Sequence, residues 1–186
     1  VALGHSNAPF ETVQNALEAG ASGFTHLYNA MSPLTSRAPG MVGAALLNDS
    51  VCGIIIDHHH IHPKAVELAY KVKGPNQLML VTDAMAHVGS SDDTIAFFDT
   101  HITRSGNKLT TPDGTLAGSC LDMHGAVINS INDIDISIEH ASTMASITPA
   151  RFTKIDDRIY GIAVGKRANF LVINNESTLL EVWQNE

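Results

Sequence analysis

Four short apolar runs, "VALG", "GFT", "GIII" and "LMLVT", are separated by segments with helical spacing, and this alternation constrains the fold of the 186-residue chain more than any other feature. Between the first two runs, "NAPFETVQNALEAGAS" has a proline near its first turn, apolar Val13, Ala16 and Leu17, and a stop at Gly20. "GFTHLYNAM" reads as the second strand, "SPLTSRAPG" as a loop and "MVGAALLND" as a short helix or turn. "VCGIIID" is a β-branched strand, "HPKAVELAYKVKG" a helix from Pro63 to Gly74, and "QLMLVTDAM" the fourth strand. Strands that alternate with helices pair in parallel through right-handed crossovers, and continuously apolar strands belong to a sheet covered on both faces. A doubly wound sheet and a barrel both satisfy this pattern.

The remainder changes character. Residues 94–118 combine Thr-rich alternation with Ser-Gly-Asn and Pro-Asp-Gly turns, which predicts an antiparallel meander inserted into the α/β pattern. "CLDMHGAVINSI" through "SIEHASTMASITPARFTKI" is helical again, with Pro149 at a helix start, and the last 25 residues give two strands that need a partner sheet. The chain opens on Val1 inside a strand, which reads as a piece of a longer protein.

Each apolar run ends in groups able to do chemistry: His5, then His26 and Asn29, then Asp57 to His60, then Asp83. In parallel α/β folds ligands bind beyond the carboxyl ends of the strands, so these groups should converge on one face. Two histidines and an aspartate there are metal-hydrolase chemistry, in which imidazoles ligate a divalent ion that acidifies water and a carboxylate takes the proton. Taken singly, His5 and His26 also suit ordinary structural or surface positions, and Asp83 also suits a helix N-cap. The cluster "DHHHIHP" resists reading as one metal site: strand residues alternate in direction, so His58 and His60 should not share a face with His59. His62 reads as an exposed turn residue, and His87, His101, His124 and His140 as structural or exposed. Arg37, in a Gly/Pro loop after a strand end, is placed to clamp a phosphate or simply to be solvated.

Charge narrows the partners. Eleven basic against nineteen acidic residues give a net charge of −8, with no basic cluster suited to nucleic acid or an anionic membrane surface. No apolar run is long enough to span a bilayer and no signal-peptide pattern is present, while Cys52 and Cys120 are far apart in apolar or small sequence. Reduced thiols in the cytoplasm are therefore expected.

In order along the chain, "GHSNA", "THLYNAM", "R-x-P-G", "D-x-x-H", "LVTDAM" and "DGTLAGS" resemble the C-terminal half of the N-acetylglucosamine-6-phosphate deacetylase family of the amidohydrolase superfamily. "PARFTKIDDRIYGIAVGKRANFLVIN" resembles the superfamily's closing helix and its return to a small β-domain, although Tyr160 stands where its members often have Gly. The resemblance implies an α/β fold: residues 1–158 as the last strands and helices of a TIM-like (β/α)8 barrel, with the meander at about 94–118, and residues 159–186 as strands of a small β-sandwich. It implies hydrolysis of the acetamide of N-acetylglucosamine 6-phosphate, with His5 and His26 as metal ligands and Asp83 as general base and acid. His60 matches a substrate contact that polarises the carbonyl, Asn29, Ala30 and Arg37 a phosphate-binding segment, and Leu116, Ala117, Gly118 and Ser119 a loop over the sugar. The cofactor implied is one or two divalent ions, zinc first with iron, nickel or cobalt as alternatives; the remaining ligands, a glutamate among them, precede this chain. A homodimer is implied for the full-length protein. Two other readings compete: an amidohydrolase acting on a cyclic amide or another acylated amino sugar, and a non-catalytic histidine-rich protein chelating metal through residues 58–62.

Overall fold

The computed structural model describes residues 1–159, 161–174, 176 and 178–184, so the substitution of Tyr160 for the usual Gly lies outside the described residues. The first half is a parallel sheet of four strands in sequence order: β1 (Ala2–Leu3), β2 (Gly23–Phe24), β3 (Val51–Ile54) and β4 (Leu78–Leu80). Helices α1 (Phe10–Glu18), α2 (Gly40–Leu47) and α3 (Pro63–Lys73) make the crossovers. Leu3 lies opposite Phe24, Phe24 opposite Cys52 and Cys52 opposite Leu78, so β1 ends level with β2 and β3 with β4, the second pair running two residues further.

Burial explains the short strands. Ile54, Ile55 and Ile56 are consecutive yet at most 1% exposed, so both faces of the chain are covered at the end of β3. Each such side chain contributes about 1.5–3 kcal/mol on burial. Phe24, Leu27, Met41, Val66, Leu78 and Met144 complete the core between sheet and helices. The α2 helix is apolar all round and buried almost throughout. Its last carbonyls are met by a buried cation: Lys73 Nζ donates to the carbonyls of Ala45 and Asn48. Cys52 and Cys120 are free thiols, and burial, opposed by the charge of Lys73, pushes the Cys52 thiol up to about 11.

The expected meander is present as an antiparallel sheet of β5 (Thr94–Phe97), β6 (Thr100–Ser105) and β7 (Lys108–Thr110). His87 is buried beneath it, with Nε2 bonded to the Ile102 carbonyl at 3.1 Å, so of the two options the sequence left it is structural. Then come α4 (Met123–Ile134), α5 (Ile138–Ser142), one π-helical turn (Thr143–Ile147) and α6 (Thr148–Phe152), with Pro149 in the first turn of α6 as expected. Two terminal strands, β8 (Phe170–Ile173) and β9 (Leu179–Trp183), pair antiparallel and leave Leu171, Val182 and Trp183 more than half exposed. Among the described residues no helix is long and apolar enough to cross a membrane.

Candidate active site

The chemistry-bearing side chains sit where the parallel strands stop. His5, His26 and Asp83 follow β1, β2 and β4, and all three have left-handed backbones, with φ of 45°, 26° and 53°. Such conformations cost non-glycine residues on the order of 1–3 kcal/mol and persist only where surrounding contacts enforce them. Those contacts are the ladder itself: Thr25 donates to the Leu3 carbonyl at 2.8 Å and Leu27 to that of Gly53 at 2.7 Å. The second strand expected over "GFTHLYNAM" is therefore paired only at Gly23–Phe24; Tyr28 and Ala30 also have positive φ, and the segment turns instead of extending. Its far end is re-pinned by a parallel bridge from Ser6 to Met31.

This turning brings His5 and His26 together. Their Nε2 atoms are 2.7 Å apart, with ring centroids at 4.7 Å. His26 is buried, and its Nδ1 has no hydrogen-bond partner among the described residues. In a neutral pair one Nε2 donates and the other accepts, whereas a divalent ion takes the lone pairs of both. The donor set thus fits two ligands of a metal centre. Among the described residues no group of three His, Cys, Asp or Glu side chains could hold an ion, so the pair by itself does not complete a metal site.

Each histidine of the pair lines a different cavity. One, of about 160 Å³, is lined by His26, Asp83, Thr25, Gly53 and Val81. The other, of about 290 Å³, is lined by His5, Ser6, Asn7, Ala30 and Met31. Gly53 keeps the first one open: a Cβ there would lie 3.2 Å from Val81 Cγ1 and 3.3 Å from the His26 nitrogen. A larger apolar cavity of about 440 Å³, between α4, α5 and the C-terminal segment, contains none of the expected site residues.

Asp83 is exposed and starts no helix, since the next one begins at Met123; the N-cap alternative does not hold. Its carbonyl accepts the Ser119 N–H at 2.8 Å, and the Ser119 carbonyl accepts from Met85 at 2.9 Å. Ser119 Oγ donates to the Thr82 carbonyl at 2.5 Å. The end of segment 116–119 is thereby laid alongside Asp83. Gly118, at φ 63°, makes the approach possible, because a Cβ would fall 2.9 Å from the Asp83 oxygen.

The histidine cluster separates for a reason other than strand alternation. The β3 strand ends at Ile54, and residues 57–60 form a bend around a buried carboxylate, with His58 at φ 68°. Asp57 Oδ1 accepts the backbone N–H groups of His59 and His60 at 2.9 and 2.8 Å, and Oδ2 faces His60 Nδ1 at 2.7 Å. Burial opposes the charge of Asp57, but the His60 ring bond, the two N–H bonds and the charge of His60 outweigh it and hold the carboxyl down at about 2. His58 turns to Asp133 on α4 at 2.7 Å and His59 to Asn107 of the meander at 2.9 Å. His62 is exposed at the N-cap of α3, as expected of a turn residue. Asp57, first in "D-x-x-H", received no role from sequence reasoning although the motif contained it.

Two expected residues stand apart. Asn29 spends its side-chain amide on the carbonyls of His26 and Leu27, both at 3.3 Å, and so stabilises the turn. Arg37 is exposed in the loop before α2 and lines neither site cavity.

Residues 2–185 match the amidohydrolase family model. The chain is 47% identical over 184 residues to N-acetylgalactosamine-6-phosphate deacetylase of Shewanella sp. (strain ANA-3), covering 98% of this chain and 46% of that protein. It is 36% identical over 184 residues to N-acetylglucosamine-6-phosphate deacetylase of Vibrio furnissii, again covering 98% and 46%. The crystal structure of N-acetylglucosamine-6-phosphate deacetylase from Pasteurella multocida superposes with a TM-score of 0.95 at 37% identity, covering 99% of this chain and 48% of that one. The chain spans about half the length of the curated relatives it matches. By its matched span and its parallel α/β architecture, the chain belongs to the amidohydrolase family.

Proposed function

We propose that the full-length protein hydrolyses the acetamide of N-acetyl-D-glucosamine 6-phosphate to glucosamine 6-phosphate and acetate. The observation that carries this reading is the Nε2–Nε2 approach of His5 and His26 at 2.7 Å, flanked by a cavity that His26 and Asp83 both line. His5 and His26 hold a divalent metal, zinc in the first place, with further ligands from the part of the protein that precedes this chain. When bound, the metal acidifies a water and polarises the amide oxygen.

Asp83 accepts the proton of the attacking water and returns it to the departing amine nitrogen. That second transfer matters because an unprotonated amide nitrogen is a very poor leaving group. His60 contacts the substrate through Nε2, the ring nitrogen not bonded to Asp57. Residues 116–119, held against Asp83, close over the sugar, and the turn at Asn29 and Ala30 together with Arg37 receives the phosphate. In this reading residues 1–158 belong to a barrel and 159–186 to a small β-sandwich, and the protein is a cytoplasmic homodimer.

A second reading has specific support in the 47% identity to a galactosamine-type deacetylase: the substrate is the C4 epimer, N-acetyl-D-galactosamine 6-phosphate. Acetate release by the full-length gene product from each 6-phosphate and from the unphosphorylated sugars separates the readings. Preference for one epimer names the substrate. Equal turnover with and without phosphate overturns both, and Arg37→Ala should raise KM for the phosphorylated sugar alone. The histidine-chelator alternative finds no support, because His58, His59 and His60 bond to three different partners.

A further inference from the structure

We propose that Asp57 is a positioning residue that fixes which nitrogen of His60 carries a proton and which nitrogen meets the substrate. The inference rests on the reading of His60 as a substrate contact and extends it one residue outward.

Neither oxygen of Asp57 is free to turn. Oδ1 is committed to two backbone N–H groups, those of His59 and His60, which close the bend in which both residues lie. Oδ2 is thereby aimed at His60 Nδ1, 2.7 Å away. An ionised carboxylate only accepts, so Nδ1 must be the protonated nitrogen. The two side chains are 7% and 6% exposed, so water competes little for this bond. Among the described residues nothing bonds His60 Nε2, which leaves its lone pair to accept a hydrogen bond from the substrate.

The backbone around the pair is held from outside as well. Asn129 Nδ2 on α4 donates to the Ile56 carbonyl at 2.7 Å, and His58 reaches Asp133 on the same helix. The bend is therefore anchored to α4 on one side and to the buried isoleucines on the other. Its conformation does not depend on the His60 ring bond, so that bond can be altered without dismantling the bend.

The substitution Asp57→Asn separates orientation from shape. The two backbone N–H groups still require an oxygen, so Oδ1 of the amide stays with them and its NH2 group faces His60. An NH2 donor forces Nδ1 to become an acceptor and moves the ring proton to Nε2. Elsewhere, replacing the carboxylate behind a catalytic histidine by its amide reverses the tautomer in this way. The same atoms remain in place with the wrong protonation.

The experiment uses the metal-loaded full-length protein labelled with 15N-histidine, and compares wild type, Asp57→Asn, His60→Gln and the double variant. Long-range 1H–15N spectra, with the His60 signals assigned by their loss in His60→Gln, should show Nδ1 protonated in wild type and the proton on Nε2 in Asp57→Asn. Deacetylation kcat/KM should fall roughly 100-fold in Asp57→Asn, with little further loss on adding it to His60→Gln. An unchanged tautomer, or a full extra loss in the double variant, overturns the proposal. If His60→Gln is impaired and Asp57→Asn is not, only the positioning role fails; if His60→Gln is unimpaired, the substrate-contact reading fails with it. Asp57→Ser, whose hydroxyl can still accept from the bend but cannot reach Nδ1, replaces Asp57→Asn should the latter not fold, and should lose Nδ1 protonation and activity together.

Discussion

The Nε2 atoms of His5 and His26 meet at 2.7 Å although the residues lie 21 positions apart, beyond the ends of different strands of the parallel sheet. Both have positive φ, so neither ring reaches the other by simple extension of its strand. Two convergent imidazole nitrogens suit the proposed metal centre. His5→Ala or His26→Ala in the full-length protein should lower metal affinity by more than roughly 100-fold, the upper range found when only a ligand's supporting hydrogen bond is lost. Metal analysis after dialysis against a buffered chelator measures this, and near-stoichiometric metal in both variants would sink the assignment. His58→Ala and His59→Ala should leave metal content unchanged.

Asp83→Asn tests the proton-transfer role separately from metal binding. The side chain lines the cavity beside His26 but takes no part in the imidazole pair. Turnover should fall roughly 10²- to 10⁴-fold, the usual contribution of a general base, while metal content stays near wild type. Stopped-time acetate assays on metal-matched samples give the comparison. Activity within threefold of wild type would remove Asp83 from the mechanism.

How much of this was legible in the sequence differs by element. The alternation that gave the parallel sheet, the Ser-Gly-Asn and Pro-Asp-Gly turns of the meander, and Pro63 and Gly74 at the ends of α3 were readable, because each is a local propensity with a local outcome. The early end of the second strand was not. No Gly or Asn marks His26 as a left-handed residue; its φ is imposed by ladder bonds to strands far away in sequence. The fate of the histidines was legible only in part. Strand alternation gave the right outcome for "DHHH" through the wrong geometry, since the divergence comes from a bend closed by Asp57. Docking of Ser119 beside Asp83 was not legible, because no local periodicity links the two segments.

That docking depends on a residue without a side chain. At Gly118 a Cβ would approach Met85 Cγ to 2.5 Å and the Asp83 oxygen to 2.9 Å, with φ at 63°. Gly118→Ala must strain the backbone, at a cost on the order of 1–3 kcal/mol, or push the loop off Asp83. The expected result is a lower thermal midpoint together with a reduced kcat/KM, since the contact is with the backbone carbonyl of Asp83, the proposed general base. Gly114→Ala is the control: its φ of 86° carries comparable strain, but a Cβ there meets nothing within 4 Å. It should lower the midpoint and spare kcat/KM.

Acid sensitivity gives a test of Asp57 that needs no substrate. Its carboxyl is held at about 2 in the folded protein, below the ordinary aspartate value of about 3.9 that it regains on unfolding. A group whose folded pKa is depressed stabilises the fold fully above the unfolded value and loses that stabilisation as pH falls through the folded one. The contribution of Asp57 is therefore complete above about pH 4 and disappears between about pH 4 and pH 2. Thermal midpoints measured across this window should fall more steeply with pH in wild type than in Asp57→Asn, which has no proton to take up there. The variant should be the less stable protein at pH 6, and the gap should narrow as the pH falls. Parallel curves down to pH 2 would mean that the Asp57 carboxylate is no better stabilised in the fold than in the unfolded chain.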